Sequence, residues 1–134
     1  MMDNRYKTSA SCVYSLKYHL VWCPKYRKKV LVGQVEARLR ELLYKKANNM
    51  GVEIEALEIL PDHVHMFVSA DPTEAPQRLA NQFKGYTSRI LRLEFASLKP
   101  RLPTLWSRSY YVGSVGHVSE ESVKQTIADQ KTRS

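Results

Sequence analysis

The sequence predicts an α+β fold of the ferredoxin-like type, an antiparallel sheet in βαββαβ order with two helices on one face and a further helix at the C-terminus. Three observations carry that reading. Four short stretches are rich in β-branched and aromatic residues, two longer ones repeat their apolar residues at helical spacing, and Pro61-Asp62 joins the middle two strands by a tight turn.

Residues 1–11 are polar and read as a loosely attached lead-in. Residues 12–23, CVYSLKYHLVWC, form the first predicted strand, with Val13, Ser15, Lys17, His19 and Val21 on one face. Tyr14, Leu16, Tyr18, Leu20 and Trp22 make the apolar face. Pro24 ends the strand, and Lys25, Tyr26, Arg27, Lys28 and Lys29 follow as a basic turn. Such a turn is either an ordinary solvated loop or a contact for phosphates with an aromatic ring ready to stack on a base.

Over residues 34–50, Val35, Leu39, Leu42, Leu43, Ala47 and Met50 recur at helical spacing, and Gly51 supplies the stop. Residues 52–60 read as the second strand, in which Val52, Ile54 and Ala56 alternate with acids before the run Leu57-Glu58-Ile59-Leu60. After Pro61-Asp62 the third strand returns antiparallel as a hairpin. A second helix begins near Thr73 or Ala75 and runs to about residue 95, its buried stripe expected at Leu79, Phe83, Tyr86, Ile90 and Leu93. Its exposed face is expected to carry Arg78, Lys84, Arg89 and Arg92. Residues 106–115 form the last strand, centred on Tyr110-Tyr111-Val112. Residues 118–131 open on a Ser N-cap with two acids in the first turn and predict a C-terminal helix. Thr126 and Gln130 fall on one face of that helix.

The third strand holds the candidate chemistry. In Asp62-His63-Val64-His65-Met66-Phe67-Val68 the histidines project from one face and Val64, Met66 and Val68 from the other. A lone histidine there would usually be a core or surface residue, but two at this spacing make a ready pair of metal ligands. The two helices should leave this sheet face as an open platform.

A chain of 134 residues supports one domain with a real core. With 21 Lys+Arg against 13 Asp+Glu, a net charge of +8, a polyanion such as nucleic acid is the favoured partner class. No secretory signal stands at the N-terminus and no run approaches the ~18 apolar residues of a membrane span, so a cytoplasmic protein with no membrane partner is expected. Cys12 and Cys23 form no CxxC and read as reduced thiols.

Taken together, Tyr18-His19-Leu20-Val21-Trp22-Cys23-Pro24-Lys25-Tyr26-Arg27, Pro61-Asp62-His63-Val64-His65, Lys84-Gly85, Leu105-Trp106-Ser107 and Val118-Ser119-Glu120-Glu121 with Gln130 make an ordered set. Over residues 14–130 the chain resembles the single-tyrosine HUH transposases, the TnpA-like enzymes of the insertion-sequence 200/605 family. The resemblance implies that His63, His65 and Gln130 hold a divalent metal, Mg²⁺ or Mn²⁺, against a scissile phosphate, although Zn²⁺ would also accept the histidines. It further implies a homodimer acting on single-stranded DNA with a hairpin. The Lys25 to Lys29 turn and the basic face of the second helix, Arg78, Lys84 and Arg89, are the matching DNA-binding candidates.

Family members attack the phosphate with a tyrosine four residues before that glutamine and form a 5′-phosphotyrosine. Here Thr126 occupies the position. A threonine hydroxyl is less acidic than a phenol, whose pKa is about 10, and its side chain is shorter. Three readings follow, in order of preference: a copy that binds DNA and metal without cleaving, a different tyrosine nucleophile with Tyr110 and Tyr111 as candidates, or a water-activating nuclease. Outside the family, the alternative is a non-catalytic single-stranded nucleic-acid-binding or regulatory module on a ferredoxin-like fold.

Overall fold

The computed structural model describes residues 16–100 and 104–114. The elements run β1 (Leu16–Pro24), α1 (Gly33–Met50), β2 (Glu53–Leu60), β3 (His63–Ala70), α2 (Pro76–Glu94) and β4 (Trp106–Ser114). They form one antiparallel sheet in the order β2-β3-β1-β4, the ferredoxin-like arrangement expected. The predicted lead-in and C-terminal helix lie outside the described residues.

One core unites the layers. Tyr18, Leu20, Trp22, Val64, Met66 and Val68 from the sheet pack with Leu39, Leu42, Leu43, Leu79, Phe83 and Leu91 from the helices, so both helices cover the same sheet face. Trp22 lies at its centre, stacked on Phe83 at 6.4 Å and edge-on to Trp106 at 6.0 Å. Helix α1 matches its predicted stripe and ends on Gly51 at φ 71°, a left-handed cap that glycine adopts without a Cβ clash.

Three expectations are corrected. In β2 the pairing shifts between Ile54 and Ala56, so Ala56 does not share a face with Ile54. The bulge is what lets Ile54 and then Leu57 and Ile59 all reach the core, since strict alternation would send the two groups to opposite faces. In α2 the buried positions are Leu79, Ala80, Phe83, Lys84, Thr87, Ser88 and Leu91, while Leu93 is 69% exposed. The stripe is turned because hydroxyls do work there that carbon cannot. Thr87 Oγ1 accepts the Trp106 indole N–H at 3.0 Å, and Ser88 Oγ accepts the Leu105 amide at 3.1 Å. Third, the helix-free face is not an open platform along its centre: His65, Phe67 and Ser69 are all buried on it.

Thr87→Val should therefore leave the Trp106 N–H buried without an acceptor and cost about 1–3 kcal/mol in urea unfolding. Leu93→Ser should change stability by no more than about 0.5 kcal/mol. The opposite ranking would restore the predicted stripe.

Candidate metal and nucleic-acid site

β3 leaves the Pro61-Asp62 turn with His63, His65, Phe67 and Ser69 directed away from the helices. Antiparallel register extends this face sideways. His19 of β1 lies opposite Phe67 and Val21 opposite His65, while Tyr111 of β4 lies opposite Val21 and Gly113 opposite His19. Rings at diagonal positions of adjacent strands can meet. They do so here as a row: Tyr111 to His19 at 6.0 Å, His19 to His65 at 5.5 Å, and His65 to His63 at 4.7 Å between centroids.

Hydrogen bonds orient the row. His63 Nδ1 lies 2.6 Å from Asp62 Oδ1, and Arg27 Nη2 donates to Asp62 Oδ2 at 3.1 Å. Burial pushes the Asp62 carboxyl up, but the hydrogen bond and charge of His63, joined by Arg27, outweigh it and hold the group below its ordinary value. At the other histidine, His65 Nδ1 stands 3.4 Å from His19 Nε2. Burial first, then the neighbouring His63 and His19, lowers the His65 pKa from 6.5 to about 4, and burial also lowers that of His19. Both rings are thus neutral imidazoles at neutral pH.

These features fit a divalent cation. A neutral imidazole has the lone pair a metal needs, and a carboxylate on the Nδ1 of His63 leaves its Nε2 for a ligand bond. Among the described residues no group of three His, Cys, Asp or Glu is placed to hold a metal, so this face offers the two imidazoles and leaves further positions to other groups. Gln130 and Thr126 lie outside the described residues.

The basic turn stands beside this site. Lys25–Arg27 is a single 3-10 turn in which Tyr26 and Arg27 adopt left-handed φ of 60° and 52°, a region that side-chain-bearing residues rarely enter. Lys25 N donates to Leu105 O at 2.9 Å and Leu31 N to Pro61 O at 3.0 Å, pinning the turn against the start of β4 and the β2-β3 hairpin. Tyr26 is 83% exposed, and Lys28 and Lys29 are exposed with it.

Other predicted residues are placed elsewhere. Lys84 is not on an exposed helix face: it is buried, and its Nζ donates to the carbonyls of Arg108 at 3.2 Å and Ser109 at 3.4 Å. Desolvation lowers its pKa. Tyr110 lies on the helix side, its ring 5.3 Å from Lys84 Nζ, whereas Tyr111 is exposed on the histidine face. Arg78 pairs with Glu74 at 2.8 Å, and Arg89 is exposed on α2 beside a groove of about 480 Å³ shared with Leu93 and Lys99. The helix layer separates Arg78 and Arg89 from the histidines. Sequence reasoning gave no role to His19 or Asp62. His19 was legible only as sharing a face with Val21, and the register needed to bring it to His65 is not written in β1 alone.

Fold and site together define a ferredoxin-like α+β protein with a histidine pair on its helix-free sheet face and a basic turn beside it. Residues 12–130 match the family described as "Transposase IS200 like", and the chain belongs to that family. It is 36% identical over 126 residues to the ISDra2 transposase TnpA of Deinococcus radiodurans, covering 92% of this chain and 90% of that protein. It is 32% identical over 130 residues to the transposase for insertion sequence element IS200 of Salmonella typhimurium, covering 93% and 86%. Among solved structures, a candidate transposase from Deinococcus radiodurans R1 superposes with a TM-score of 0.76 at 36% identity, covering 92% of this chain and 97% of that one. A REP-associated tyrosine transposase bound to a REP hairpin shares the fold at a TM-score of 0.60 and 15% identity, covering 84% and 62%. Among the described residues no helix is long and apolar enough to cross a membrane.

The lowered His65 pKa predicts a pH response in metal-free protein. Between about 6.5 and about 4 the unfolded chain binds a proton that the folded site excludes, so stability falls as the pH drops through that window and His65 adds no further loss below it. With a chelator present, the His65 ring resonance should titrate near pH 4 in NMR spectra. An ordinary midpoint would contradict its burial.

Proposed function

We propose that this chain binds single-stranded DNA carrying a hairpin and holds Mg²⁺ or Mn²⁺ through His63, His65 and Gln130, as a transposase whose strand-cleaving step is impaired at Thr126. The observation that carries this reading is the pair of histidines on one sheet face, with Asp62 on His63 Nδ1 and burial holding His65 neutral, in a chain of the IS200-like transposase family. When bound, the cation polarises the non-bridging oxygens of a phosphate and neutralises developing charge. Asp62 keeps the His63 ring turned and in one tautomer, and the buried surroundings of His65 keep its nitrogen unprotonated.

In the complete reaction a phenolic oxygen attacks phosphorus, its proton passes to a base, the P–O3′ bond breaks and the 3′ oxygen leaves as a hydroxyl, leaving a 5′-phosphotyrosine. The stored ester then supports rejoining without a nucleotide cofactor. Thr126 lacks both the acidity and the reach for the first step. A second reading is favoured by one observation: Tyr111 is 58% exposed on the histidine face, so a phenol is available there. We also read the assembly as a homodimer, which the mass in solution tests.

The experiment is a labelled single strand with a hairpin, incubated with Mn²⁺ and resolved on a denaturing gel. Native protein should bind without a covalent adduct, Thr126→Tyr should form one, and adding His63→Ala should remove it. An adduct with native protein that Tyr111→Phe abolishes would move the nucleophile to Tyr111. Bound DNA with no adduct in any variant sinks the transferase reading and leaves the non-catalytic module.

The exposed turn carries the second expectation. Replacing Lys28 and Lys29 together by Ala should weaken single-strand binding and flatten its salt dependence by about 1.4 in log–log slope, the value for two phosphate contacts. Lys84→Met, which removes a buried cation, should leave that slope unchanged.

A further inference from the structure

We propose that His19 is a positioning residue for His65: its Nε2 accepts the His65 Nδ1 proton and fixes His65 in the tautomer whose Nε2 is bare for a cation. The inference rests on the metal reading given under Proposed function and adds to it a residue that neither the HxH pair nor the basic turn contains.

The geometry points there from both sides of His19. Toward β3, its Nε2 faces His65 Nδ1 at 3.4 Å, with the two rings 5.5 Å apart and tilted by 31°. A neutral imidazole has one donor and one acceptor nitrogen, so a hydrogen bond across this contact requires the proton on one of the facing pair. If it were His19 Nε2, the His65 proton would sit on its own Nε2 and that nitrogen could not ligate. The arrangement on the neighbouring ligand is the same in kind, because His63 Nδ1 meets Asp62 Oδ1 at 2.6 Å. Each candidate ligand therefore has its Nδ1 directed at a polar atom.

Toward β4, His19 is wedged by an aromatic. Its cross-strand partner is Gly113, which brings no side chain to the face, and Tyr111 leans across the gap so that a Cβ on Gly113 would stand 2.7 Å from the Tyr111 hydroxyl. The Tyr111 ring meets the His19 ring edge-on, 76° between planes. His19 is thus held between His65 and Tyr111 rather than free to turn to solvent.

The choice of an imidazole is also chemically apt. A second carboxylate on this face would place another negative charge beside a site meant for phosphate, whereas a neutral ring accepts the hydrogen bond without that repulsion.

The test compares native protein with His19→Leu, His19→Gln and His63→Ala. The Gln amide oxygen keeps an acceptor near the position of Nε2. The His65 tautomer is read in metal-free protein from ring ¹⁵N shifts, and Mn²⁺ affinity from electron paramagnetic resonance of free ion. Native His65 should carry its proton on Nδ1. His19→Leu should release that preference and weaken Mn²⁺ binding about ten- to a hundredfold, and His19→Gln should recover most of both. A native His65 protonated on Nε2 overturns the proposal. So does unchanged Mn²⁺ affinity in His19→Leu when His63→Ala has abolished binding, and equal loss with Gln and Leu would make His19 a ligand instead. If native protein binds no Mn²⁺, or His63→Ala does not weaken it, the metal reading fails while the tautomer still decides the His65–His19 contact. Should His19→Leu not fold, the native tautomer and the Gln variant decide alone.

Discussion

Strand β3 is the element on which the other features depend, because it is buried on both faces. Val64, Met66 and Val68 are fully buried in the helix-covered core, and Phe67 is fully buried on the other side. A strand so enclosed cannot slip by one residue without driving both histidines into the apolar layer and Val64, Met66 and Val68 out of it. The core thus sets the direction in which His63 and His65 point. The hydrophobic effect that stabilises the fold and the geometry that would hold a cation are two consequences of one register.

The pairing of β3 with β1 carries the site further across the sheet, and a polar seam joins it to the basic turn. Arg27 to Asp62 to His63 is a continuous chain of contacts from the exposed basic turn to the buried strand. Two consecutive left-handed residues in that loop cost on the order of 1–3 kcal/mol each, and the Leu105 and Pro61 carbonyls hold the conformation from both sides. Strain of this kind persists only when surrounding contacts determine it. Here they present Tyr26 outward while turning Arg27 back on Asp62.

Much of this was legible in the sequence, and the exceptions share a cause. The two-residue period gave the facing of His63 and His65, and Gly51, Pro61 and Asp62 marked a helix end and a hairpin in the positions found. What alternation and helical spacing could not show was where polar atoms had found partners inside. Thr87 and Ser88 were absent from the expected buried stripe, yet they meet the Trp106 indole and the Leu105 amide, and Lys84 reads as a surface cation until two strand carbonyls come within reach of its ammonium. The bulge in β2 was visible as a change of phase between Ile54 and Leu57 but was read as a simple run. His19 belongs with these cases, since its meaning depends on a residue 46 positions away.

The departure at position 126 acquires a different weight against this background. Among the described residues, the contacts that orient the histidine pair come from β1, the turn after it, the β2-β3 hairpin or β3 itself. The proposed metal-binding and bond-breaking roles thus draw on different parts of the chain: the described sheet carries the histidine pair, and position 126 lies outside the described residues. On the proposed reading, a chain altered at the nucleophile alone would keep its histidine face and basic turn, and occupancy of DNA without cleavage would itself be a way to compete with an active copy for the same ends.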